Sequence, residues 1–340
     1  MTHAPPLDTT ALAAHLERSG TEVDGALRAE PISGGKSNLT YRIDDATGPR
    51  WVLRRPPTAG LTPSAHDMGR EFRVVDALGD SEVPVADAVA LCEDPDVIGA
   101  PFSVFSHVDA RVVRTRDQLA DLDDEGVAAC VRSLVRVLAS LHAVDHEAVG
   151  LASHGRPHGF LERQVRLWGR QWERVRDGEL PDLDRLCRLL ADAVPESSAH
   201  AVVHGDYRID NVMLDHHDPG RIHAVVDWEL STLGDPLADI AMMCVYRRPG
   251  LDLVLGEPAA WNSDRLPTAD EIAHMYSRVS GRALRDWGFH LGLAHLKSAV
   301  IAQGIAYRGR QGAEGGGRDR AGEAVGEYAA AGLRALRETP

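Results

Sequence analysis

The segment HGDYRIDN (204–211) contains the side chains of this chain that are best suited to chemistry. Asp206 and Asn211 lie five positions apart, and Asp227 ends the next apolar segment, IHAVVDW. A loop after AVVHG could direct Asp206 and Asn211 toward one point, and antiparallel strands joined by HHDPGR would bring Asp227 alongside. Carboxylate and amide oxygens are the ligands that Mg²⁺ prefers. The spacing therefore predicts an oxygen-rich site for a hard cation.

Phosphoryl transfer needs this set of groups, because metal ions neutralise the phosphates and a carboxylate receives the proton of the acceptor hydroxyl. In the catalytic loop of kinases, the Asp base precedes a metal-binding Asn by five residues. Asp206 and Asn211 reproduce that spacing, with Gly205 where protein kinases carry Arg. An isolated Asp and Asn after a strand form an ordinary turn about as often. The other parts of the chain must therefore decide between the two interpretations.

Three of those parts precede the loop in a fixed order. The segment SGGKSN lies between two predicted strands, where a glycine-rich backbone could approach nucleotide phosphates, although glycine-rich hairpin turns are common. Arg54 follows on the strand WVLRRPP, and Glu71 on the helix HDMGREFRVVDAL. Glycine-rich loop, cation, helical acid and then Asp, Asn and Asp form a sequence that chance rarely supplies. This order favours phosphoryl transfer.

The pattern of apolar residues predicts how these groups are positioned. The first hundred residues read as five strands with a single helix after the third strand, as in the alternation of NLTYRID. Beyond residue 110 the amphipathic segments DDEGVAACVRSLVRVLASLHAV, GFLERQVRLWGRQWERVR and LDRLCRLLADAV predict helices. The stretch 308–322 is rich in glycine and predicts a loop before a last helix. A small sheet lobe joined to a larger helical lobe follows.

Composition restricts the classes of partner. The 340 residues carry a net charge of −14, which disfavours a nucleic-acid-binding protein. The four cysteines are widely spaced, as expected for free thiols in a reducing compartment, and no 18-residue run is wholly apolar. We therefore expect a cytosolic protein with neither a nucleic-acid nor a membrane partner. Of the 37 basic residues only Lys36 and Lys297 are lysines.

Seven segments together resemble the aminoglycoside phosphotransferase (phosphotransferase enzyme) family, which has the protein-kinase-like fold. They span roughly residues 30 to 245 in the family's order, and the resemblance is strongest to the branch that resembles the kinase-like domain fused to some acyl-CoA dehydrogenases. The segments are ISGGKSNLTY, WVLRRPP, GREFRVVDAL, VPVADAVALCED, IGAPFSVFSHVDAR, HGDYRIDNVMLD and VVDWELSTLGDPLADIA. The resemblance implies ATP or GTP as donor, Mg²⁺ as cofactor and a small-molecule hydroxyl as acceptor.

The resemblance also implies residue roles, which we take over by position. Asp206 corresponds to the catalytic base, Asn211 and Asp227 to metal ligands, and Glu229 to a second acid near the metals or to a solvated carboxylate. His204 and Asp239 correspond to residues that support the catalytic loop. The nucleotide would contact Arg54, Glu71, the phosphate-binding residues Ser33, Gly34, Gly35, Lys36, Ser37 and Asn38, and the adenine-binding backbone of Ser106, His107 and Val108.

The third strand departs from the kinase pattern, which has a lysine for the phosphates. Alternation places Val52 and Arg54 on one face and Arg55 on the other. We assign the lysine's place to Arg54, with Glu71 as its ion-pair partner, because arginine can also clamp phosphate oxygens. Substitution of Arg55 should then have the small effect of a surface residue. The missing lysine leaves a second hypothesis, an inactive nucleotide-binding regulator.

A further pattern concerns the acceptor. Arg163, Arg166, Arg170 and Arg174 recur every three or four positions on one predicted helix. In the family such helices line the acceptor side, so this face would suit an anionic acceptor, although a solvated face paired with surface acids is the more common situation. The acceptor could be an antibiotic or a metabolite, and its identity stays open.

The expected fold is therefore α+β and bilobal, of the protein-kinase-like class. Residues 1–107 would form a small antiparallel-sheet lobe that binds the nucleotide. Residues 108–340 would form a larger, mostly helical lobe that holds the catalytic loop and the acceptor. The protein is expected to act as a monomer or homodimer, using ATP (or GTP) and Mg²⁺.

Overall fold

The alternating segments near the amino terminus form a five-stranded antiparallel sheet. The strands are β1 (Arg28–Pro31), β2 (Leu39–Asp45), β3 (Gly48–Arg55), β4 (Ala88–Cys92) and β5 (Phe102–Ser106). Their order across the sheet is β1-β2-β3-β5-β4, and each neighbouring pair is antiparallel. The strand β3 that carries Arg54 is therefore central, with β2 on one side and β5 on the other. This arrangement confirms the predicted sheet.

The computed structural model describes residues 7–32, 38–57, 67–196, 199–311 and 320–338. The chain divides into two units: the first comprises Met1–Asp109 with His223–Ser231, and the second Ala110–Ile222 with Thr232–Pro340. The segment His223–Ser231, which contains Asp227, groups with the first unit. The boundaries predicted from the sequence, 1–107 and 108–340, place this segment in the second lobe instead.

One face of the sheet is covered by a helix that the sequence analysis did not predict. Helix α1 (Thr9–Arg18) begins at Asp8, whose side chain accepts a hydrogen bond from the Ala11 N–H. Its residues Leu12 and Leu16, four positions apart, are fully buried. They share one apolar cluster with the sheet residues Tyr41, Ile43, Trp51, Leu53, Phe102 and Val104. The expectation of a single helix in this part of the chain was therefore wrong.

The opposite face of the sheet is covered by helix α2 (Met68–Leu78). The register pairs Val52 with Phe105 and Arg54 with Ser103, so these four side chains share that face. Phe72 of α2 packs on Phe105 with ring centroids 5.9 Å apart. The alternation of β3 thus directs Arg54 toward α2, as its assignment required.

Arg55 lies on the α1 side of β3 and is only 5% exposed. Its guanidinium donates to the carbonyl oxygen of Ile98 at 3.1 Å. The expectation that Arg55 behaves as a surface residue was therefore wrong, because the edge of the apolar cluster encloses it. Its contribution should be to stability, since it satisfies a buried acceptor.

The second unit is mostly helical, as predicted. Its helices are α3 (Arg116–Ala120), α4 (Asp124–Ala143), α5 (Phe160–Val175), α6 (Pro181–Asp192), α7 (Pro236–Val245), α8 (Gly250–Leu255), α9 (Ala269–Ser280), α10 (Trp287–Arg310) and α11 (Val325–Glu338). Strands β6 (Ala201–Val203) and β7 (Val212–Leu214) of this unit flank residues 204–211, the HGDYRIDN segment, which we name the catalytic loop after the family's pattern. The unit also contains β9 (Thr232–Gly234), whereas β8 (Ile222–Val225) lies almost wholly in the first unit and leads into the segment with Asp227. Strands β6 and β9 pair antiparallel.

Helix α10 runs further than the sequence suggested. It continues to Arg310, so the first residues of the glycine-rich stretch 308–322 are helical rather than a loop. Apolar contacts explain the extension, because Ala302, Gln303, Gly304 and Ala306 are all buried in this last part of the helix. The rest of the stretch, from 312 to 319, lies outside the described residues.

Helix α4 has the composition of a core helix. Among the described residues it alone is long and apolar enough to meet a membrane-span criterion, and 56% of the relevant window is buried. A buried helix of a soluble protein meets the same criterion. The absence of a membrane partner stays a prediction.

We expect Arg55→Ala to lower the free energy of unfolding by about 1–3 kcal/mol, because the Ile98 carbonyl loses its buried donor. Nucleotide affinity should not change. Urea denaturation and calorimetry measure the two quantities. The control is Arg28→Ala on the exposed side of β1, which should alter stability by less than about 0.5 kcal/mol. Weaker nucleotide binding with unchanged stability would contradict the placement of Arg55.

Candidate active site

The catalytic loop begins where β6 ends. His204 is fully buried, and Gly205 follows with φ 85°. This left-handed backbone is strained for residues with a β-carbon, which explains glycine in the place where protein kinases have arginine. The turn directs the next residue, Asp206, out of the strand. Its side chain is 19% exposed.

The buried carboxylate of Asp239, in α7, holds the backbone of this loop. It accepts hydrogen bonds from the His204 N–H at 2.6 Å and from the Gly205 N–H at 2.8 Å. His142 of α4 lies 3.3 Å from the same carboxylate and 2.7 Å from the Tyr276 hydroxyl. Burial alone would raise the pKa of Asp239, but the hydrogen bond and charge of His142 outweigh it and lower that pKa. Asp239 therefore supports the loop as the sequence analysis expected.

Both carboxylate oxygens of Asp206 are held by donors. The Tyr246 hydroxyl, just beyond α7, donates to Oδ1 at 2.6 Å. The Asn211 amide nitrogen donates to Oδ2 at 3.2 Å, and Arg208 lies 3.4 Å from the same oxygen. Burial, followed by the charge of Asp206, raises the pKa of Tyr246 well above its ordinary value, so the hydroxyl remains a donor. The carboxylate is thus fixed in orientation.

Asn211 ends a short 3₁₀ turn, Ile209–Asn211, and is 7% exposed. Its amide nitrogen also donates to the Asp206 carbonyl at 2.8 Å. Both of its hydrogen bonds to Asp206 come from the amide nitrogen, and neither involves the amide oxygen Oδ1. The five-residue spacing therefore brings Asp206 and Asn211 together, with an amide oxygen left for a cation.

Three residues around Asp206 were not among the predicted site residues. Arg208 pairs with Asp210 at 2.7 Å and lies over the Tyr246 ring at 5.1 Å. Lys297 of α10 donates to the Gly205 carbonyl at 2.8 Å. Arg208 lies inside the HGDYRIDN motif, and Lys297 is conspicuous as one of two lysines, so the sequence contained a signal for both. For Tyr246 it contained none.

The first unit contains a separate cluster around Arg54. Its guanidinium makes a short ion pair with Glu71 of α2 and a 3.2 Å contact with Asp227 Oδ1. Glu71 is 3% exposed, and the charge of Glu229 also acts on Arg54. The structure therefore brings together the cation and the helical acid that the sequence predicted as partners, and adds Asp227.

In this cluster, burial and the charges of the neighbouring residues shift the pKa values in opposite directions. Burial would lower the pKa of Arg54, but Glu71 and Asp227 outweigh it and raise that pKa. Burial raises the pKa of Glu71, and Arg54 only partly offsets this effect. Arg54 is thus a permanent cation whose two acids neutralise it. A phosphate group could replace part of this acidic environment.

Asp227 has φ 67°, a left-handed conformation that is uncommon for residues other than glycine. It precedes the short 3₁₀ turn Trp228–Leu230. The Trp228 backbone N–H donates to Glu71, and its indole N–H donates to the Val225 carbonyl at 2.9 Å. These bonds hold the turn, so the strained backbone directs the Asp227 carboxylate toward Arg54.

The predicted nucleotide-binding backbone is only partly described. Residues 33–37 of SGGKSN lie outside the described residues, and Asn38 is buried. The N–H groups of Ser106 and His107 donate at 2.9 Å to the carbonyls of Asp87 and Arg50. These two N–H groups are therefore engaged within the first unit. An adenine contact by this segment would use its carbonyls or Val108, and that role stays a prediction.

The basic face of α5 is mostly solvated. Arg166, Arg170 and Arg174 are exposed, and Arg163 donates to the carbonyls of Arg156 and His158 at the start of the helix. Arg163 thus stabilises the preceding loop, while an acceptor role for Arg163, Arg166 and Arg170 stays a prediction.

The fold and the catalytic loop define a phosphotransferase of the protein-kinase-like class. Residues 28–286 match the phosphotransferase enzyme family (APH), and the chain belongs to that family. The bilobal α+β fold is that of the class, as expected.

Two similar proteins align with most of this chain. "Acyl-CoA dehydrogenase family member 11" of Gallus gallus is 36% identical over 293 residues, covering 84% of this chain and 37% of its own length. The chain thus spans about a third of that relative. A Ralstonia eutropha crystal structure, whose assignment as an aminoglycoside phosphotransferase is provisional, is 32% identical with a TM-score of 0.83, and the match covers 98% of this chain and 99% of that one.

A more distant structure shows the same fold. A thermostable mutant of aminoglycoside phosphotransferase APH(4)-Ia, solved with ADP and hygromycin B, has a TM-score of 0.60 at 18% identity. The match covers 96% of this chain and 98% of that one.

We expect Asp239→Asn to lower the free energy of unfolding by at least about 1.5–3 kcal/mol, the contribution of one hydrogen bond to a charged group. The folded-state pKa of Asp239 is lowered relative to an unfolded value of about 3.9. The difference from wild type should therefore be full above about pH 5 and shrink as the pH falls through the folded pKa.

Urea denaturation between pH 3 and pH 7 measures this difference. The matched control is Asp192→Asn at the exposed end of α6, which should have little effect at any pH. An Asp239→Asn effect that stays constant across the acid range would contradict an ionised Asp239.

Proposed function

We propose that the protein transfers the γ-phosphoryl group of ATP to a hydroxyl group of a small molecule. The observation that carries this proposal is Asp206, whose carboxylate and backbone are both fixed in a member of a phosphotransferase family. A fixed carboxylate can orient an acceptor hydroxyl and receive its proton. Parallel assays with ATP and with GTP distinguish the two possible donors.

In the proposed step, the γ-phosphoryl group moves from ATP to the acceptor hydroxyl. The acceptor oxygen bonds to the γ-phosphorus, and the bond from that phosphorus to the β–γ bridging oxygen breaks. The hydroxyl proton passes to Asp206, and ADP leaves with the electron pair of the broken bond. Tyr246 on Oδ1 and Asn211 on Oδ2 hold the carboxylate in place, and the acceptor hydroxyl would add a further donor to it.

We propose Mg²⁺ as the cofactor, with Asn211 and Asp227 as protein ligands. The donors fit a hard cation: Asn211 presents an amide oxygen, and the Asp227 carboxylate is 40% exposed. When bound, Mg²⁺ would neutralise phosphate charge. Glu229 remains a candidate for a second acid near the metal or acceptor.

Arg54 is proposed to hold the phosphates of the donor. Its guanidinium is fixed by Glu71 and already faces an anionic oxygen, that of Asp227. Planar guanidinium groups bind two oxygens of a phosphate or carboxylate at once. The arginine therefore provides the charge that lysine supplies in protein kinases.

The acceptor is proposed to be a small molecule, either an antibiotic or a metabolite. Hygromycin B is present in one structure of the same fold, whereas the similar protein of Gallus gallus is named an acyl-CoA dehydrogenase family member. The basic face of α5 would suit an anionic acceptor. A cytosolic location, a monomer or homodimer, and the lack of a nucleic-acid partner also remain proposals.

The decisive experiment is an ADP-release screen over aminoglycosides, macrolides, nucleoside antibiotics, amino alcohols and hydroxyacyl-CoAs. We expect one class to stimulate release, and Asp206→Asn to lower turnover by roughly 10²–10⁴-fold with nucleotide affinity little changed. More than a tenth of wild-type turnover in that variant would remove Asp206 from the role. Tight nucleotide binding without transfer to any hydroxyl would instead favour the regulator.

For Arg54, we expect Arg54→Ala to weaken nucleotide binding by on the order of 1.5–3 kcal/mol, because a charged donor is lost. Arg54→Lys should keep much of the affinity. Calorimetry with a non-hydrolysable ATP analogue measures both, with Arg73→Ala on the exposed part of α2 as the control. Unchanged affinity in folded Arg54→Ala would show that Arg54 holds only Glu71.

A further inference from the structure

Lys297 is an unusual charge in the middle of α10. From Trp287 to Tyr307 the helix contains no other Asp, Glu, Arg or Lys. Burial lowers the pKa of His290 and takes that of His295 to about 3, so both are neutral at physiological pH. A helix that is apolar on most sides is a core helix, and a cation within it needs a reason.

Its ammonium is engaged by a backbone group rather than an acid. Lys297 donates to the Gly205 carbonyl at 2.8 Å and lies 5.8 Å from the centroid of the Trp168 ring. Within the described residues, the contacts of Lys297 are this hydrogen bond and the Trp168 ring, and neither is a salt bridge to a carboxylate. Burial lowers the pKa of Lys297, while Asp206 and Asp239 oppose this effect from a distance. A buried ammonium group without a carboxylate partner lowers the stability of the fold. Its presence is therefore not explained by stability.

The carbonyl that Lys297 binds belongs to the peptide bond between Gly205 and Asp206. At the other end of that peptide, the Asp206 N–H donates to His204 Nδ1 at 3.3 Å. One residue earlier, the Gly205 N–H donates to Asp239 at 2.8 Å. The peptide plane that leads into Asp206 is therefore held on both its oxygen and its nitrogen side.

Glycine makes this support necessary. Gly205 has φ 85° and no β-carbon, so rotation of the following peptide plane meets little steric resistance. Such a rotation would turn the Asp206 backbone and carry its carboxylate away from the Tyr246 hydroxyl. The bond from Asp206 N–H to His204 is long, so the carbonyl side carries much of the constraint.

We propose that Lys297 is a positioning residue for phosphoryl transfer, which holds the Gly205–Asp206 peptide and thereby the orientation of the Asp206 carboxylate. This inference rests on the proposed function, because it assigns to Lys297 a role in the step that Asp206 performs. The presence of lysine at this position fits the positioning role. In a chain where 35 of 37 basic residues are arginines, position 297 has a compact ammonium group.

The test compares Lys297→Met with Lys297→Arg in the whole chain. For Lys297→Met we expect kcat to fall roughly 10²-fold, since a displacement of about 1 Å has that cost, with the KM for ATP changed by less than about twofold. Lys297→Arg should recover most of the loss, because a guanidinium can donate to the same carbonyl and stack on Trp168.

Hydrogen exchange provides a readout that needs no acceptor. In Lys297→Met the amides of Gly205 and Asp206 should exchange faster, while those of the neighbouring strand β9 keep their rates. The matched control is Arg308→Met, which removes an exposed cation from the same helix and should change neither kcat nor exchange. If Lys297→Met does not fold, Lys297→Leu, which also lacks a hydrogen-bond donor, replaces it.

The outcomes separate the two proposals. A kcat within about threefold of wild type in folded Lys297→Met, or unchanged exchange of these amides, would overturn the positioning role. If the wild-type protein transfers phosphate to no hydroxyl compound, the proposed function fails. The exchange rates then still decide whether Lys297 holds this peptide.

Discussion

The organisation of the catalytic loop depends on one buried carboxylate, that of Asp239. It accepts the N–H groups of both His204 and Gly205, so the backbone before Asp206 has a single position. The same helix ends at the residue before Tyr246, whose hydroxyl fixes the Asp206 side chain. Asp239 and Tyr246 are seven residues apart, about two helical turns. One rigid helix therefore controls both the backbone and the carboxylate of the proposed base, and α10 adds the contact from Lys297.

The two units surround charged groups of opposite sign. In the second, Asp206 is surrounded by donors and by the cation Arg208, which also pairs with Asp210. In the first, Arg54 is the cation and carboxylates surround it. Each arrangement lowers the cost of a charge that is partly removed from water. The groups for which we propose proton acceptance and phosphate binding therefore have neighbours that already compensate their charge.

Periodicity and local spacing account for what the sequence revealed. The alternation in β3 predicted that Arg54 faces Glu71, and the spacing of HGDYRIDN predicted the meeting of Asp206 and Asn211. Contacts between distant segments could not be predicted in this way: Tyr246, Lys297 and the enclosure of Arg55 by Ile98 depend on tertiary packing. Helix α1 was missed although Asp8 and the pair Leu12 and Leu16 were local signals. The functional roles proposed for these residues come from the resemblance to the family, because the geometry within one unit does not reveal them.

We propose that this chain forms a phosphate ester on a hydroxyl group, with Asp206 as the base. Mass spectrometry of reactions with ATP and each acceptor class measures the product directly, and the same reactions give the amount of ADP. We expect one phosphorylated acceptor, formed in equal amount to ADP and lost when Mg²⁺ is chelated. Equal release of ADP and free phosphate, with every acceptor unmodified, would contradict it.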